Sequence, residues 1–196
     1  TTNDQGQWAK PGLKGMVTVT PATAWGLDFD PPQRQLQAAS NAVHFQAENG
    51  TVAGDAGAFW IAWADPDTDV IILGFPLVVT EPLAGNGKTI VGNVYLADGA
   101  DVTDVVLFGS VTVEGPGPGA GALGAVKPGI VTYDVEIVFD SVVFHGPLFI
   151  ADPGSVWVTF EDCDVQETVS ISSPSVKIQA DAGTVFQQLF AVTNPQ

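Results

Sequence analysis

This sequence contains little positive charge and almost no sulfur. Six Lys and Arg residues stand against 22 Asp and Glu residues, giving a formal net charge of −16 at pH 7. Such a surface repels phosphate backbones and anionic lipid headgroups, so we expect neither a nucleic-acid partner nor a membrane partner. The single cysteine, Cys163, excludes an intrachain disulfide and a zinc site built from cysteines.

Long hydrophobic runs are also missing. The longest apolar stretch, residues 70–79, is interrupted by Gly74 and Pro76 and is too short to span a bilayer. Apolar residues nevertheless make up 45% of the chain, which is enough for a core. The 22 glycines and 14 prolines interrupt helices and favour turns. This composition predicts an all-β protein.

A repeat runs through most of the chain. Four segments, 106–117, 143–154, 164–175 and 185–196, align without gaps, and each has an apolar-x-apolar triplet followed by two small or polar residues and a proline. The outer residues of these triplets are Val111 and Val113, Leu148 and Ile150, Val169 and Ile171, and Phe190 and Val192. Earlier copies have the pairs Val94 and Leu96, Leu77 and Val79, Ile61 and Trp63, and Val43 and Phe45.

The spacing of these copies predicts a parallel β-solenoid. Copies follow one another at 16 to 21 residues, except for a gap of 37 residues after Val113, to which we assign one more copy around Val131. Alternating apolar residues would point into the bore, and Pro or Gly would turn the corners. We expect a right-handed β-helix of about eight or nine coils. The alternative is a β-sandwich or jelly roll, whose hairpins can also recur at short spacing.

Two regions depart from the repeat. Residues 1–42 are predicted to form an N-terminal arm or cap, with one short helical stretch over Gln33–Val43. Residues 43–196 are predicted to form the solenoid domain. Within that domain, the Gly- and Pro-rich segment 115–129 is predicted to leave the solenoid as a loop.

The end of the last predicted coil has nothing in the sequence to cover it. That coil closes at Val192, and four residues follow. A bare terminal coil offers unpaired strand edges to other chains. We therefore expect another chain to cover this edge in an assembly.

The feature of the repeat that most resembles an active site is a stacked column of carboxylates. A coil of 20 to 21 residues places Asp140, Glu161 and Asp181 one above another. Acids on neighbouring coils form the sites of pectinase-like β-helix glycosidases and lyases, where two carboxyl groups act as acid and as base or nucleophile. The competing interpretation is an outward acidic ladder. We favour the ladder, because Lys177 is the only cation nearby in sequence and few aromatic residues accompany the column.

Two aspartate clusters at predicted corners are weak calcium candidates. Their members are Asp65, Asp67 and Asp69 in the first cluster, and Asp98, Asp101 and Asp104 in the second. The first resembles the opening of an EF-hand loop, but Val70 replaces the glycine and Pro76 the final glutamate that such a loop requires. We favour solvated corner turns, and we expect no metal and no cofactor.

The Trp, His and Cys side chains indicate a protein interface rather than an active site. Trp60 and Trp157 fall on outward positions, and with Trp8 and Trp25 they are candidate interface anchors. His44 and His145 are predicted to be solvated. Cys163 aligns with Val142 and is expected in the core.

The architecture resembles the β-helical structural proteins of tailed-phage virions, namely decoration or cement proteins, head fibres and tailspikes. The resemblance covers residues 43–196 and rests on the coil pattern, not on a diagnostic motif. It implies a non-enzymatic capsid decoration protein at the virion surface, bound to a protein lattice and commonly trimeric. The alternatives are a polysaccharide-degrading or carbohydrate-binding β-helix that uses the acid column, and a cell-surface adhesin module.

Overall fold

The computed structural model describes residues 14–21, 27–30, 32–37, 46–114, 135–151, 154–188 and 190–192. The chain divides into two compact units, residues 1–49 and residues 50–196. In the first unit, the described residues form two antiparallel strand pairs. The pairs are β1 (Met16–Val19) with β3 (Arg34–Gln37), and β2 (Phe29–Asp30) with β4 (Gln46–Ala47).

The helix predicted over Gln33–Val43 is wrong in its described part, because residues 34–37 form the strand β3. Leu36 pairs with Val17 across the ladder, and its neighbours in the strand are all exposed. β1 alternates between exposed and half-buried residues, which is the strand period, and pairing with β1 decides the conformation of β3. Residues 38–43 lie outside the described residues.

The second unit consists of one helix and sixteen described strands. In chain order they are β5 (Gly50–Ala53), α1 (Ala56–Ala64), β6 (Val70–Leu73), β7 (Leu77–Val79), β8 (Leu83–Val91), β9 (Val94–Leu96), β10 (Val102–Phe108), β11 (Val111–Val113), β12 (Val135–Asp140), β13 (Val143–Phe144), β14 (Leu148–Ile150), β15 (Ser155–Glu161), β16 (Asp164–Val165), β17 (Val169–Ile171), β18 (Ser175–Ala180), β19 (Val185–Phe186) and β20 (Ala191–Val192).

These strands form a parallel β-solenoid of about six turns, which confirms the predicted fold class. One face is the ladder β7-β9-β11-β14-β17-β20. The rest is a ten-stranded sheet in which β5, β6, β8 and β10 follow one another, and β10 then pairs with both β12 and β13. From there β12, β15 and β18 form one ladder, and β13, β16 and β19 form the other.

The registers confirm the alignment of the repeats. Val113 pairs with Ile150, Ile150 with Ile171, and Ile171 with Val192. The earlier triplets continue the same ladder, since Leu77 pairs with Val94. Alternate residues therefore fill the interior, as the period of the pattern requires.

The predicted number of coils is too high for two reasons. The triplets that end at Val113 and Ile150 lie on adjacent strands, so no coil separates them, although 37 residues separate them in sequence. β12 and β13 lie between these triplets and belong to the coil that ends at Ile150, so the extra residues of this interval, which we call the insertion, precede β12. The predicted loop 115–129 and the copy around Val131 lie outside the described residues. The copy containing Ile61 and Trp63 is part of the helix α1. The copy at Val43 also falls outside the described part of the chain.

Helix α1 replaces a strand because local signals favour a helix. The Asp55 carboxylate caps its first turn by accepting a hydrogen bond from the Ala58 N–H at 2.8 Å. Four of its nine residues are alanine, the strongest helix former. Its inward residues follow the helical period: Phe59 and Ala62 are buried, and Phe59 stacks on Trp63 with ring centroids 5.4 Å apart.

The interior of the C-terminal coils holds a group of aromatic rings. Phe139 stacks on Phe160, one coil further on, with ring centroids 5.4 Å apart. Phe144 meets Phe139 edge to face at 5.0 Å, and Phe186 meets Phe160 in the same way at 5.2 Å. Such pairs stabilise the core beyond the area they bury, by roughly 0.5–1.5 kcal/mol each.

Two columns of special backbone positions form corners of the coils. At the first corner, Asp104, Ser141 and Asp162 have φ values of 53°, 57° and 52°, the left-handed region in which short polar side chains are tolerated best. At the second, Gly109 and Gly146 approach so closely that a Cβ on Gly146 would overlap the Gly109 carbonyl oxygen. Only glycine fits this contact.

Candidate functional site

The predicted acid column exists. Asp140 pairs with Glu161 in the ladder between β12 and β15. Asp181 follows directly after β18, whose last residue pairs with Phe160, so it continues the same column. Glu161 and Asp181 are exposed and Asp140 is half-buried.

The hydrogen bonds of the column serve the corners of the coils. One oxygen of Asp181 accepts from the Thr184 hydroxyl at 2.7 Å, the Thr184 N–H at 2.9 Å and the Asp162 N–H at 3.1 Å. The Thr184 hydroxyl, and then the Asp162 N–H, lower the pKa of Asp181 below its usual value of 3.8. A glycosidase acid needs a raised pKa, so this carboxyl is unsuited to that role. Asp140 likewise accepts from the Ser141 hydroxyl at 2.9 Å.

A lysine occupies the first calcium candidate. The Asp65 carboxylate accepts from the Asp67 N–H and from the Thr68 hydroxyl, both at 3.0 Å. The Lys88 ammonium donates to the backbone carbonyl of Asp65 at 2.7 Å and to that of Thr68. The Asp67 N–H, then the Thr68 hydroxyl and the Lys88 charge, hold the pKa of Asp65 below its usual value. Lys88 thus supplies the positive charge that a metal ion would bring to these oxygens.

The second calcium candidate supports the coil that follows the insertion. Asp98 accepts from the Glu136 N–H at 2.9 Å, and Asp101 accepts from the Val138 N–H at 2.8 Å. Asp104 has the left-handed conformation of the first corner. Within the described ranges, no three His, Cys, Asp or Glu side chains converge as a metal site.

The two candidate interface tryptophans that the structure describes have different surroundings. Trp157 is half-buried, and the Lys177 ammonium lies 3.5 Å from its ring centroid, so this face of the ring is already covered. Trp60 is 43% exposed. Trp8 and Trp25 are among the residues that the structure does not describe.

The surface of α1 around Trp60 is apolar. Ile61, its neighbour, is 76% exposed, and Val52 on β5 is 67% exposed. The sequence of α1, AGAFWIAWA, contains no charged or hydrogen-bonding polar side chain other than the indole N–H groups. Ile61 is not predicted as an exposed residue from the sequence, because the repeat places it on the inner side of a strand. The Asp cap and the alanine content are the signals that would have identified the helix.

The last coil is the second apolar surface of this unit. Val192 is 67% exposed and Phe190 40%, whereas Ile171 and Val169, which precede them in the same columns, are 8% and 2% exposed. In the part of the chain that the structure describes, β18, β19 and β20 pair only with the preceding coil.

The remaining reactive side chains are engaged in packing. Cys163 is buried in the core, as its alignment with Val142 predicts, and burial raises the pKa of its thiol. The His145 ring is half-buried and stacks on Phe108 with centroids 4.1 Å apart, so it is less exposed to solvent than the prediction of a solvated histidine implies. His44 lies outside the described residues.

Comparisons with known proteins add no family to this geometry. A scan of protein-family models, a search of curated proteins and a search of solved structures gave no match. In the described ranges, no helix has the length and apolar character needed to cross a membrane.

Proposed function

We propose that this chain is a non-enzymatic structural protein that attaches to a protein lattice through the outer face of α1, as a capsid decoration protein at a virion surface does. The observation that carries the proposal is this uncharged nine-residue helix with Trp60 and Ile61 exposed, in a chain of net charge −16. Tryptophans at the centre of an apolar patch are typical anchors of protein interfaces.

The charge of the chain restricts the chemistry of the partner. Asp55, Asp65 and Asp67 flank α1 at its two ends, and all three are exposed. A lattice surface that receives α1 should therefore offer an apolar pocket for Trp60 with basic side chains at its rim. Complementary charges of this kind accelerate encounter and exclude wrong partners.

Labelling of particles tests the location. Antibodies against the chain, applied to particles from its source and viewed by electron microscopy, should label the particle surface at regular intervals. Label confined to the cell envelope would overturn the virion assignment and favour the adhesin alternative. Loss of viscosity of a polysaccharide solution treated with the chain, abolished by Asp140→Asn, would overturn the non-enzymatic assignment.

A pair of variants tests the surface. Trp60→Ala/Ile61→Ser should lower the affinity for particles that lack the chain by about thirty-fold, since a Trp anchor contributes about 2 kcal/mol or more. Val78→Ser is the matched control, because Val78 is 62% exposed but lies on β7. Circular dichroism would establish that all variants are folded. Equal retention of the double variant and the control would refute attachment through α1.

A further inference from the structure

The last coil exposes apolar side chains of the kind that fill the interior of the earlier coils. Val176, Ile178 and Phe186 pack against the core but remain partly exposed. Val192 and Phe190 are more exposed than any residue of the same columns in the coil before. The strands of this coil present edges whose backbone groups can pair with a further strand.

The last coil of a second copy of the chain fits this surface. The occupant must supply strands with apolar side chains on the same inner side, which another last coil does. The opposite end of the solenoid is a different surface, because there α1 contributes Phe59 and Ala62 to the interior beside the strands β5 and β7. Two copies that meet last coil to last coil bring identical surfaces together, an arrangement that closes after two chains.

The charge distribution favours this contact. Residues 175–192 contain one lysine, Lys177, and one aspartate, Asp181, so the formal charge of the last coil is zero. Residues 155–174 contain four acidic residues and no basic residue. The last coil is thus an end through which two copies of this acidic chain can approach without juxtaposing net charge.

We propose that two copies of the chain associate through β18, β19 and β20 around a two-fold axis that passes through Ile178. With six residues, β18 is the longest edge, and a two-fold axis pairs it with itself in antiparallel fashion. The two-residue strands β19 and β20 then face each other reciprocally. This contact is independent of the attachment through α1.

The register follows from the alternation of side chains. Inward residues of one copy must lie opposite inward residues of the other. An axis between two residues of β18 would pair an inward residue with an outward one, so the axis must pass through a residue. An axis through Lys177 would place two ammonium groups together. An axis through Ile178 instead places Lys177 opposite Gln179 of the other copy and keeps Ile178 inside, where it continues the column of Val158.

Light scattering on the purified chain tests the association. At moderate salt the expected mass is twice the 20.3 kDa of one chain. Val192→Asp should give single chains, because it places a charge inside the contact at a position exposed enough to leave folding intact. Val78→Asp, the exposed control on β7, should leave the dimer unchanged. A monomeric parent chain, a trimer, open-ended growth or an unaffected Val192→Asp would each overturn the proposal.

Cross-linking tests the register. In a Cys163→Val background, Lys177→Cys/Gln179→Cys should give a disulfide-linked dimer on mild oxidation. Glu136→Cys/Val138→Cys is the control, because these residues occupy the same two columns two coils earlier. A dimeric mass without this cross-link, or equal cross-linking of the control, would overturn the axis through Ile178.

Discussion

Asp101 is predicted to stabilise the coil that follows the insertion. β10 pairs with β12 at only two positions, Val102 with Phe139 and Thr103 with Asp140. The first four residues of β12 therefore have no described strand on that side. The Asp101 carboxylate accepts from the Val138 N–H in a partly buried bond of 2.8 Å, and thus replaces the missing strand.

The expected cost of Asp101→Ala follows from this bond. A hydrogen bond to a charged group contributes about 1.5–3 kcal/mol, and partial exposure lowers this to about 1–2 kcal/mol here. For a chain of 196 residues, that loss lowers the melting temperature by about 2–8 °C. Asp101→Asn keeps an acceptor oxygen and should lose about half as much. Asp98→Ala should lose less than Asp101→Ala, because its bond to the Glu136 N–H is exposed.

Two measurements check this reasoning. Thermal unfolding followed by circular dichroism gives the loss of stability, with Asp67→Ala as an exposed control. Hydrogen exchange by NMR reports the bond itself, because the Val138 amide should exchange faster in Asp101→Ala while the amide of Phe160 keeps its protection. Unchanged exchange at Val138 would show that Asp101 does not hold this strand, whatever happens to the melting temperature.

Two further predictions follow from the corners. Gly146→Ala should prevent correct folding or lower the free energy of unfolding by more than about 3 kcal/mol, because the new Cβ overlaps the Gly109 carbonyl. Gly54→Ala is the control, because there is open space around Gly54. A soluble Gly146→Ala variant with the melting temperature of the parent chain would contradict the close packing. Asp181→Ala should destabilise the chain at pH 7 and progressively less below pH 3.8. The reason is that the pKa of Asp181 is lower in the folded than in the unfolded chain, so its ionised carboxylate stabilises the folded state above the unfolded pKa. This contribution disappears as the pH falls through the folded-state pKa. Melting temperatures at pH 7 and pH 3 test this, and an equal difference at both would refute it.

The coil registers could be predicted from the sequence because the solenoid is almost one-dimensional. Each inward side chain lies against its equivalent one repeat away, so alignment of the triplets gives the contacts directly, as with Ile150 and Ile171. The same alignment predicts that Asp140 and Glu161 lie in one column, as they do. It could not assign their role, because that depends on which donors reach each carboxylate at the corners.

The errors have a common physical origin. Alternation of Phe59, Ile61 and Trp63 resembles a strand, but an Asp cap and four alanines stabilise a helix, and short apolar runs do not distinguish the two by period. The gap of 37 residues predicts a hidden coil only if the period is regular. Spacing along the chain does not reveal that the ladder passes from Val113 directly to Ile150.

The acidic residues and the apolar ends of the second unit perform different tasks. Asp65, Asp98, Asp101 and Asp181 each accept backbone N–H groups, and each lies where the chain leaves one helix or strand before the next strand begins. Their positions follow from the geometry of the coil, so the abundance of aspartate is weak evidence for catalysis. The apolar residues left exposed at α1 and at the last coil satisfy no requirement of the fold that the structure shows. Exposed apolar surface is costly in water unless a partner covers it. Our two proposals therefore place the contacts of this chain at these surfaces, and the surfaces differ, because one is a helix and the other a set of strand edges.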